Sequence, residues 1–314
     1  MHTAPAPLFR DPIFDGPTDP TIIWNRQEKT WWIIYTSRRA NVHCHDVSWV
    51  HGTDLGVASS ADNGQTWLYR GTLNLEAIEH GRNTYWAPEV LWHDGQYHMF
   101  VSYITGVPTA WVGDRTILHY ISDNLWDWQY EHAVSLPSRR VIDACVHPLP
   151  GGGWRLWYKD ESDHSHTHYA DSPDLFTWEH RGIATQDQAQ EGPNVFTLGG
   201  RYWMIADIWD GQAVYASDDL TNWCRQEGAI MSGAGHRRED GNRAHHADVL
   251  VVDDHAYMFY FVHPAEQETD NLDGLGHPNP RRSSLQTAEL KIIDGRLVSL
   301  RDEAFDFFLP DMQA

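Results

Sequence analysis

The segment SDDLTNW at residues 217–223 is one of four copies of a short motif in this sequence. The other copies are SADNGQTW at 60–67, SDNLWDW at 122–128 and SPDLFTW at 172–178, and in every copy an Asn or Asp stands four residues before a Trp. Ser, Asp and Asn favour turns because their short side chains bond to nearby backbone, and Gly favours turns because it tolerates unusual backbone angles. A turn followed by Trp therefore recurs along the chain, which is typical of a repeat architecture.

A second unit, a turn followed by an aromatic-rich strand, occurs five times. Its copies are KTWWIIY at 29–35, DGQYHMF at 94–100, GGWRLWY at 152–158, GGRYWMI at 199–205 and DHAYMFY at 254–260. The strands are short, β-forming residues alternate along them, and Gly, Asp, Asn or Pro bounds them, as in an all-β protein. Five units of about four strands each predict a single-domain, five-bladed β-propeller. Residues 1–10 are expected to be an N-terminal extension, and strands at 285–290 and 296–300 to complete the last blade.

Each predicted blade begins with a strand that carries a carboxyl or imidazole group near its start. The five strand starts read PTDPTIIW at 17–24, YWAPEVLW at 85–92, VIDACVH at 141–147, EGPNVF at 191–196 and HHADVL at 245–250. The first strands of a propeller run beside its central channel. We therefore expect four acids to meet around one axis: Asp19, Glu89, Asp143 and Glu191.

Acids crowded into a channel repel one another and lose water, which raises the pKa of at least one while another stays ionised. Glycoside hydrolysis requires such a division, because one carboxyl group protonates the leaving oxygen while the other activates water or attacks the sugar. The alternative is that these acids only cap turns at strand entries, where Asp before Pro is common. The shared position in five blades favours the catalytic interpretation.

The motif WAPEV at 86–90, followed by DGQY at 94–97, together with Asp19 before Pro20, Asp143 and EGP at 191–193, resembles glycoside hydrolase family 43 and its five-bladed relatives. The resemblance extends from about residue 11 to residue 300. It implies an inverting enzyme in which Asp19 is the general base on the attacking water. It also implies that Asp143 tunes and orients the acid and that Glu191 is the proton donor.

Two positions depart from the family pattern. Ala144 follows Asp143 where the family usually has Pro, and Glu89 stands where Asp is common. These departures weaken the assignment to a subfamily more than the assignment to the enzyme class. Asp11, also followed by Pro, is a second candidate for the base, but only Asp19 leads directly into a predicted strand.

Sugar recognition uses aromatic faces against the apolar side of the ring and polar groups on its hydroxyls. The candidates for these contacts are Trp86, Glu89, Trp111, Trp209, His246 and Arg282. Long segments such as 38–53, 105–115 and 264–282 are expected to shape the pocket.

The sequence contains 20 His, and two tracts, HCH at 43–45 and HSHTH at 164–168, place imidazoles at alternate positions. On a strand these side chains share one face, which suits either a transition metal or a polar loop that binds sugar hydroxyls. The family resemblance places His246 at the channel axis. It allows a structural calcium nearby, while catalysis is expected to need no cofactor.

The formal net charge of −21 disfavours nucleic acid and anionic membranes as partners, because both are bound mainly through Lys and Arg. The three Cys form no Cys-x-x-Cys pair, and neither a secretory leader nor a membrane span is visible, so we expect a cytoplasmic protein. The sequence leaves the oligomeric state open.

Together these features predict a glycoside hydrolase that acts on short neutral oligosaccharides. We expect an exo-acting enzyme, either an α-L-arabinofuranosidase or a β-xylosidase. One alternative is a related propeller enzyme for galactofuranosides, anhydrogalactosides or fructosides, although no fructosidase signature is present. The other is a propeller that binds sugars without cleaving them.

Overall fold

The computed structural model describes residues 2–264 and 280–312, so most of the segment 264–282 lies outside the described residues. The described chain folds into five sheets, in each of which four main strands are antiparallel and lie side by side in chain order. Each sheet corresponds to one predicted blade. Among the described residues, the structure contains one short 3-10 helix, Val47–Val50, and no helix that is long and apolar enough to cross a membrane.

Each blade has four main strands, and blade two has in addition a two-residue edge strand that pairs in parallel with its last strand and is not counted as its first strand. Blade one comprises β1 (Pro17–Asn25), β2 (Thr30–Ser37), β3 (Leu55–Ser60) and β4 (Leu68–Thr72). Blade two comprises the two-residue β5 (Asn74–Leu75), β6 (Thr84–His93), β7 (Gln96–Ile104), β8 (Thr116–Ser122) and β9 (Asp127–Ala133). Blade three comprises β10 (Val141–Pro148), β11 (Trp154–Asp160), β12 (His166–Ser172) and β13 (Glu179–Thr185). Blade four comprises β14 (Glu191–Leu198), β15 (Arg201–Asp207), β16 (Gln212–Ser217) and β17 (Cys224–Ile230). Blade five comprises β18 (His245–Val252), β19 (His255–Val262), β20 (Ser284–Ile293) and β21 (Arg296–Ser299).

The first strands of the five blades form a closed inner ring. Each of β1, β6, β10, β14 and β18 contacts the first strands of both neighbouring blades. The predicted all-β, five-bladed propeller is therefore confirmed, including the last blade with strands β20 and β21. Because radial repetition leaves only short strand edges exposed, the ring needs no covering layer.

The repeated Trp motif forms the turn between the third and fourth strands of a blade. In blade four, Asp219 Oδ1 accepts hydrogen bonds from the backbone N–H groups of Thr221 (2.9 Å) and Asn222 (2.7 Å). Leu220, which follows Asp219 directly, has a φ of +63° and is fully buried. The turn side chains thus replace backbone partners, as predicted from their composition.

The second strand of each blade supplies much of the core between blades. Trp32, Trp157 and Trp203, which lie on β2, β11 and β15, are among the largest fully buried side chains. These residues belong to the repeated aromatic strand unit. Most of its aromatic rings therefore act in packing, as expected from the number of repeats.

A β-bulge interrupts the pairing of every first strand with the second strand of its blade. In four blades the bulged residue has a positive φ: Asp19 (+49°), Ala87 (+44°), Asp143 (+61°) and Gly192 (+54°). Bulges redirect side chains and are over-represented beside active sites. Non-glycine residues in this backbone region are strained, which is common where geometry serves function.

Candidate active site

A cavity of about 390 Å³ opens at the end of the channel where the bulges lie. Its volume falls within the range of small-ligand sites. The residues that line it come from all five blades: Asp19, Arg38, Val50, Trp86, Trp111, Arg115, Arg140, Ile142, Asp143, Lys159, Glu161, Glu191, Trp209, His245, His246, Phe261 and His263. The structure thus brings together the three predicted catalytic acids and four of the six predicted substrate contacts.

Asp19 is a buried carboxylate with positive neighbours. Its Oδ2 accepts a hydrogen bond from Thr18 Oγ1 (2.9 Å), and both its oxygens lie 3.4 Å from Arg38 Nη2. His246 Nδ1 is 3.8 Å from Oδ1. Burial raises the pKa of Asp19, but the charges of Arg38 and His246 and the hydrogen bonds from Thr36 and Thr18 together bring it below its usual value. Asp19 is therefore ionised at neutral pH, as a general base must be.

Asp143 has the opposite environment. Its side chain is buried and accepts a hydrogen bond from the backbone N–H of Gly192 (3.1 Å). Burial, supported by the nearby charges of Glu191 and Asp19, raises the pKa of Asp143 to about 6. Asp143 thus holds a proton at mildly acidic pH, when Asp19 is still ionised.

Glu191 accepts a strong donor on each of its oxygens. Lys159 Nζ lies 2.9 Å from Oε2, and Trp209 Nε1 donates to Oε1 over 3.0 Å. Burial raises the pKa of Glu191, but the charge and hydrogen bond of Lys159, together with the charges of His246 and Arg38, bring it below its usual value. In this arrangement the proton of the Asp143–Glu191 pair resides on Asp143.

The Gly of the EGP motif has a steric role. Gly192 has a φ of +54°, and a Cβ at this position would lie 2.6 Å from Cγ of His246. Because no side chain fits there, the strand approaches the imidazole closely. The motif therefore places Glu191 and His246 side by side at the cavity.

The three predicted aromatic contacts line the cavity in different ways. Trp86 is buried, and its Nε1 donates to the carbonyl of Val50 (2.6 Å). Trp111, which is 56% exposed, stands 6.2 Å from Trp86 between ring centroids. Trp209 is 40% exposed, and its indole N–H contacts the candidate acid Glu191. Trp111 and Trp209 are thus free to present a face to a ligand, while Trp86 forms the wall behind Trp111.

The structure places Glu89 outside the cavity. The bulged residue of blade two is Ala87, so Glu89 lies two residues beyond the position that Asp19 occupies in blade one. Its Oε1 accepts the backbone N–H of Val146 (2.8 Å) deeper in the channel. Burial, supported by the charge of Asp248, raises its pKa well above the usual value. Glu89 is therefore not among the residues that line the cavity.

Arg282 and Asp11 are also outside the cavity. Arg282 is buried between blade five and the N-terminal segment, where its guanidinium contacts the carboxylates of Asp15 and Glu239. Asp11 Oδ1 caps a turn by accepting the backbone N–H groups of residues 13 and 14, and its Oδ2 accepts hydroxyl groups of strand β2. Asp11 therefore has a structural role, and Asp19 is the acid that reaches the cavity.

The cavity contains cationic side chains that the sequence patterns did not single out. They are Arg38, Arg115, Arg140 and Lys159. Lys159 had a signal, since it follows an aromatic strand and is one of three Lys in the sequence. The Arg residues stand in or beside loops, and only the assembled ring brings them together.

The histidine tracts form no cluster with metal-binding geometry. His166 and His168 both face Asp163, and His43 stacks edge-on against His45. Within residues 2–264 and 280–312, no group of three His, Cys, Asp or Glu side chains is placed to hold a metal ion.

Two carboxylates lie close to His246. Asp19 Oδ1 is 3.8 Å from its Nδ1, and Asp207 Oδ2 accepts its backbone N–H over 3.0 Å. Both carboxylates also have another partner, Arg38 at Asp19 and His245 at Asp207. Calcium prefers six to eight oxygen ligands, and a structural calcium near His246 stays a prediction.

Comparison with known proteins finds similarity in structure. No family profile and no curated protein sequence matches the chain. A thermostable family-43 glycoside hydrolase has a TM-score of 0.69 and 18% identity, over 94% of this chain and 97% of that one. A family-43 enzyme from Xanthomonas citri, complexed with xylotriose, has a TM-score of 0.67 and 15% identity, over 94% and 93%. A family-32 β-fructofuranosidase from Bombyx mori has a TM-score of 0.68 and 14% identity, over 95% and 64%. The chain has the five-bladed fold of these structures.

Proposed function

We propose that this protein is an inverting glycoside hydrolase. The observation that carries the proposal is a single cavity in which three carboxyl groups, Asp19, Asp143 and Glu191, have pKa values shifted in different directions. Paired acids with divergent protonation are the requirement of glycosidic bond hydrolysis. The likeness of the fold to family-43 and family-32 glycosidases supports the same class.

The proposed reaction uses Asp19 and Glu191 on opposite sides of the scissile bond. Ionised Asp19 takes a proton from a water molecule, whose oxygen forms the new bond to the anomeric carbon. Glu191 gives its proton to the leaving oxygen as the glycosidic bond breaks. One attack by water inverts the anomeric configuration, and proton exchange with solvent restores both carboxyl groups.

Asp143 has the role of proton reservoir for Glu191 in this mechanism. In the free site Lys159 and Trp209 both donate to Glu191, which stabilises its ionised form. Glu191 acts as an acid only after it takes up a proton, and the Asp143–Glu191 pair holds one below pH about 6. We therefore expect activity to fall as the pH rises through this value.

For substrates, we propose terminal pentosides of short oligosaccharides, namely β-xylosides and α-L-arabinofuranosides. The support is the family-43 relative that was complexed with xylotriose, together with the exposed rings of Trp111 and Trp209 beside the cavity. A cavity of about 390 Å³ is small enough to favour release of a terminal sugar over cleavage within a long chain.

The decisive experiment follows hydrolysis of aryl xylosides and arabinofuranosides by NMR. We expect the first product to have the inverted anomeric configuration. Asp19→Asn should reduce kcat by a factor of about 10³ or more, because the water loses its base. Glu191→Gln should be equally impaired with poor leaving groups, but retain activity with dinitrophenyl leaving groups, which need no proton.

Unchanged unfolding temperatures would show that both variants still fold. A retained anomer, or normal rates in either variant, would contradict the proposed mechanism. Tight glycan binding without turnover of any glycoside would identify a sugar-binding propeller instead.

A further inference from the structure

One side of the cavity carries a cluster of three cations around a single carboxylate. Arg115 Nη1 lies 3.1 Å from Glu161 Oε2, and Arg140 Nη2 lies 3.3 Å from the same oxygen. Lys159 Nζ is 3.9 Å from Glu161 Oε1 and 2.9 Å from Glu191. We call Arg115, Arg140, Lys159 and Glu161 the cationic cluster. The cluster extends from the candidate acid Glu191, which Lys159 contacts, to the boundary between blades two and three, where Arg115 and Arg140 lie.

The charges of the cationic cluster do not cancel. Three cations face Glu161 within the cluster, and Glu191 and Asp143 also face Lys159, so three cations meet three carboxyl groups. Because burial raises the pKa of Asp143 to about 6, the group has a net positive charge when Asp143 is protonated. The whole chain, in contrast, has a formal charge of −21. Hydrolysis of a neutral sugar requires acids and does not require this group of cations.

Arg115 has donors that the described protein leaves unused. Its side chain is 1% exposed, and its Nη1 contacts Glu161 and the carbonyl of Gly113. Its Nε and Nη2 have no hydrogen-bond partner within residues 2–264 and 280–312. A buried charged donor without an acceptor is costly. The guanidinium lies 5.9 Å from the ring of Trp86, in the wall of the same cavity.

Arg140 provides the accessible part of the cluster. Its side chain is 45% exposed and approaches Glu161 at the mouth of the cavity. Lys159 lies deeper, with 6% of its side chain exposed and its Nζ 5.2 Å from the ring of Trp209. A ligand that enters between Trp111 and Trp209 would therefore meet Arg140 first and Lys159 next.

We propose that the sugar bound in this cavity carries a carboxylate, so that the substrate is an acidic saccharide that contains a hexuronic acid. The inference rests on the proposed hydrolase activity and replaces the neutral pentosides as its expected substrates with an acidic saccharide. A carboxylate is planar and matches the paired donors of an Arg guanidinium, while a Lys ammonium adds a point charge. A sulfate ester has the same charge and a tetrahedral shape, so we test it separately.

The cationic cluster would also link substrate binding to the acid. A substrate carboxylate near Lys159 competes with Glu191 for the same Nζ. Glu191 would then lose its strongest counter-charge and take up a proton more readily. Binding of an acidic substrate would in this way favour the protonated form of Glu191, the proposed proton donor.

The test measures binding, so that it does not depend on hydrolysis. Calorimetry on the whole protein compares D-glucuronate with D-glucose and D-galacturonate with D-galactose, because each pair differs only at C6. Glucose 6-sulfate is the third kind of probe. We expect at least one uronate to bind about tenfold more tightly than its neutral partner, as for one charge-assisted contact.

Two neighbouring variants provide the control. Arg140→Gln should remove most of the preference for the uronate. Arg139→Gln removes the same charge one residue away, from a side chain that is 83% exposed and paired with Asp114, and should leave the preference unchanged. Added salt should weaken uronate binding and leave binding of neutral sugars unaffected.

Equal affinities within both sugar pairs, or equal effects of the two Arg variants, would overturn the proposal. Tighter binding of glucose 6-sulfate than of either uronate would overturn the choice of carboxylate. If uronates bind as expected and no glycoside is hydrolysed, the proposed hydrolase fails while the acidic ligand stands. If neutral pentosides are hydrolysed and the protein binds uronates no more tightly than their neutral partners, the proposed hydrolase stands and the acidic ligand fails.

Discussion

Lys159 is the main group that stabilises the ionised form of Glu191. Its Nζ is 2.9 Å from Glu191, and its charge opposes the increase in the pKa of Asp143. Glycosidase acids usually need a raised pKa to hold a proton. In this protein the proton is held on Asp143, next to the candidate acid Glu191, whose lowered pKa keeps it ionised in the free site.

Removing the charge of Lys159 should shift the alkaline side of the pH profile. In Lys159→Met the pKa of Glu191 rises, because a positive neighbour no longer stabilises the carboxylate. Glu191 then stays protonated to higher pH, so the alkaline limb of kcat/KM for a neutral aryl glycoside should move up by about one pH unit. A pH series of initial rates measures the shift.

Lys159→Arg is the matched control, since it keeps the positive charge beside Glu191. Its alkaline limb should stay within a few tenths of a pH unit of the wild-type value, although kcat itself falls if the larger guanidinium displaces Trp209. An unshifted limb in Lys159→Met would contradict the protonation scheme.

At the scale of elements, the fold depends on turns whose side chains replace backbone hydrogen bonds. Asp219 and Asp174 each accept two backbone N–H groups in corresponding turns of blades four and three. In the corresponding turns of blades two and three, the indole N–H groups of Trp128 and Trp178 donate to the carbonyls of Leu125 and Leu175. The acceptor stands four residues before the Trp in blades two, three and four, which explains the shared spacing there. In blade one the acceptor is Asp62, five residues before Trp67.

Asp219→Ala should lower the free energy of unfolding by about 1 kcal/mol, the usual cost of losing a side-chain acceptor for backbone N–H groups. The hydrogen bonds from Asn222 and Thr221 also lower the pKa of Asp219. Their contribution is therefore present above the unfolded pKa of an Asp, near 3.9, and is lost as the pH falls through the lower folded value. Urea unfolding at neutral pH measures the loss.

Asp218→Ala tests whether the position matters rather than the charge. Asp218 precedes Asp219, is largely exposed and pairs with Arg201 at 3.1 Å on the surface. Such pairs contribute little, so this variant should be near wild type. Equal losses for the two variants would show that the turn contacts are not the stabilising feature.

At the scale of the whole molecule, the two chain ends close the ring between blades one and five. Phe9 forms a β-bridge with Leu285 of blade five, and the backbone N–H of Phe307 donates to the carbonyl of His2 (2.8 Å). Trp31 of blade one donates its indole N–H to the carbonyl of Pro310 (3.0 Å). Residues 2–10 are thus attached to the propeller and are more than an extension beside it.

Phe307 is the central apolar contact of this closure. It is fully buried in a cluster with residues of both blades, and its ring centroid lies 5.2 Å from that of Tyr257. Phe307→Ala should lower the free energy of unfolding by about 4 kcal/mol, as for other large cavities left by buried Phe. Phe308→Ala, at the adjacent and 40% exposed position, should change it by less than about 1 kcal/mol. Thermal and denaturant unfolding of the two variants provide the comparison, and similar losses would contradict the assigned role.

The sequence by itself determined the architecture and the three candidate acids. Turn chemistry and strand alternation are local properties, so the Trp motif and the aromatic strands reveal five blades without tertiary information. Asp19, Asp143 and Glu191 were found for the same reason, because each stands near the start of a first strand. The strand pattern did not reveal the bulges, which is why Glu89 was expected in the cavity: one inserted residue in each blade decides which side chain faces it.

Only the tertiary structure decided the electrostatics of the cavity. Lys159 meets Glu191 across a blade boundary, and Arg115 and Arg140 converge on Glu161 from loops of different blades. Arg282 was expected at the same cavity, yet it lies in an ion-pair network with Asp15 and Glu239. A pKa and a binding preference depend on distances between groups that are far apart in the chain. Those distances are set by the closure of the ring, which no local pattern in the sequence records.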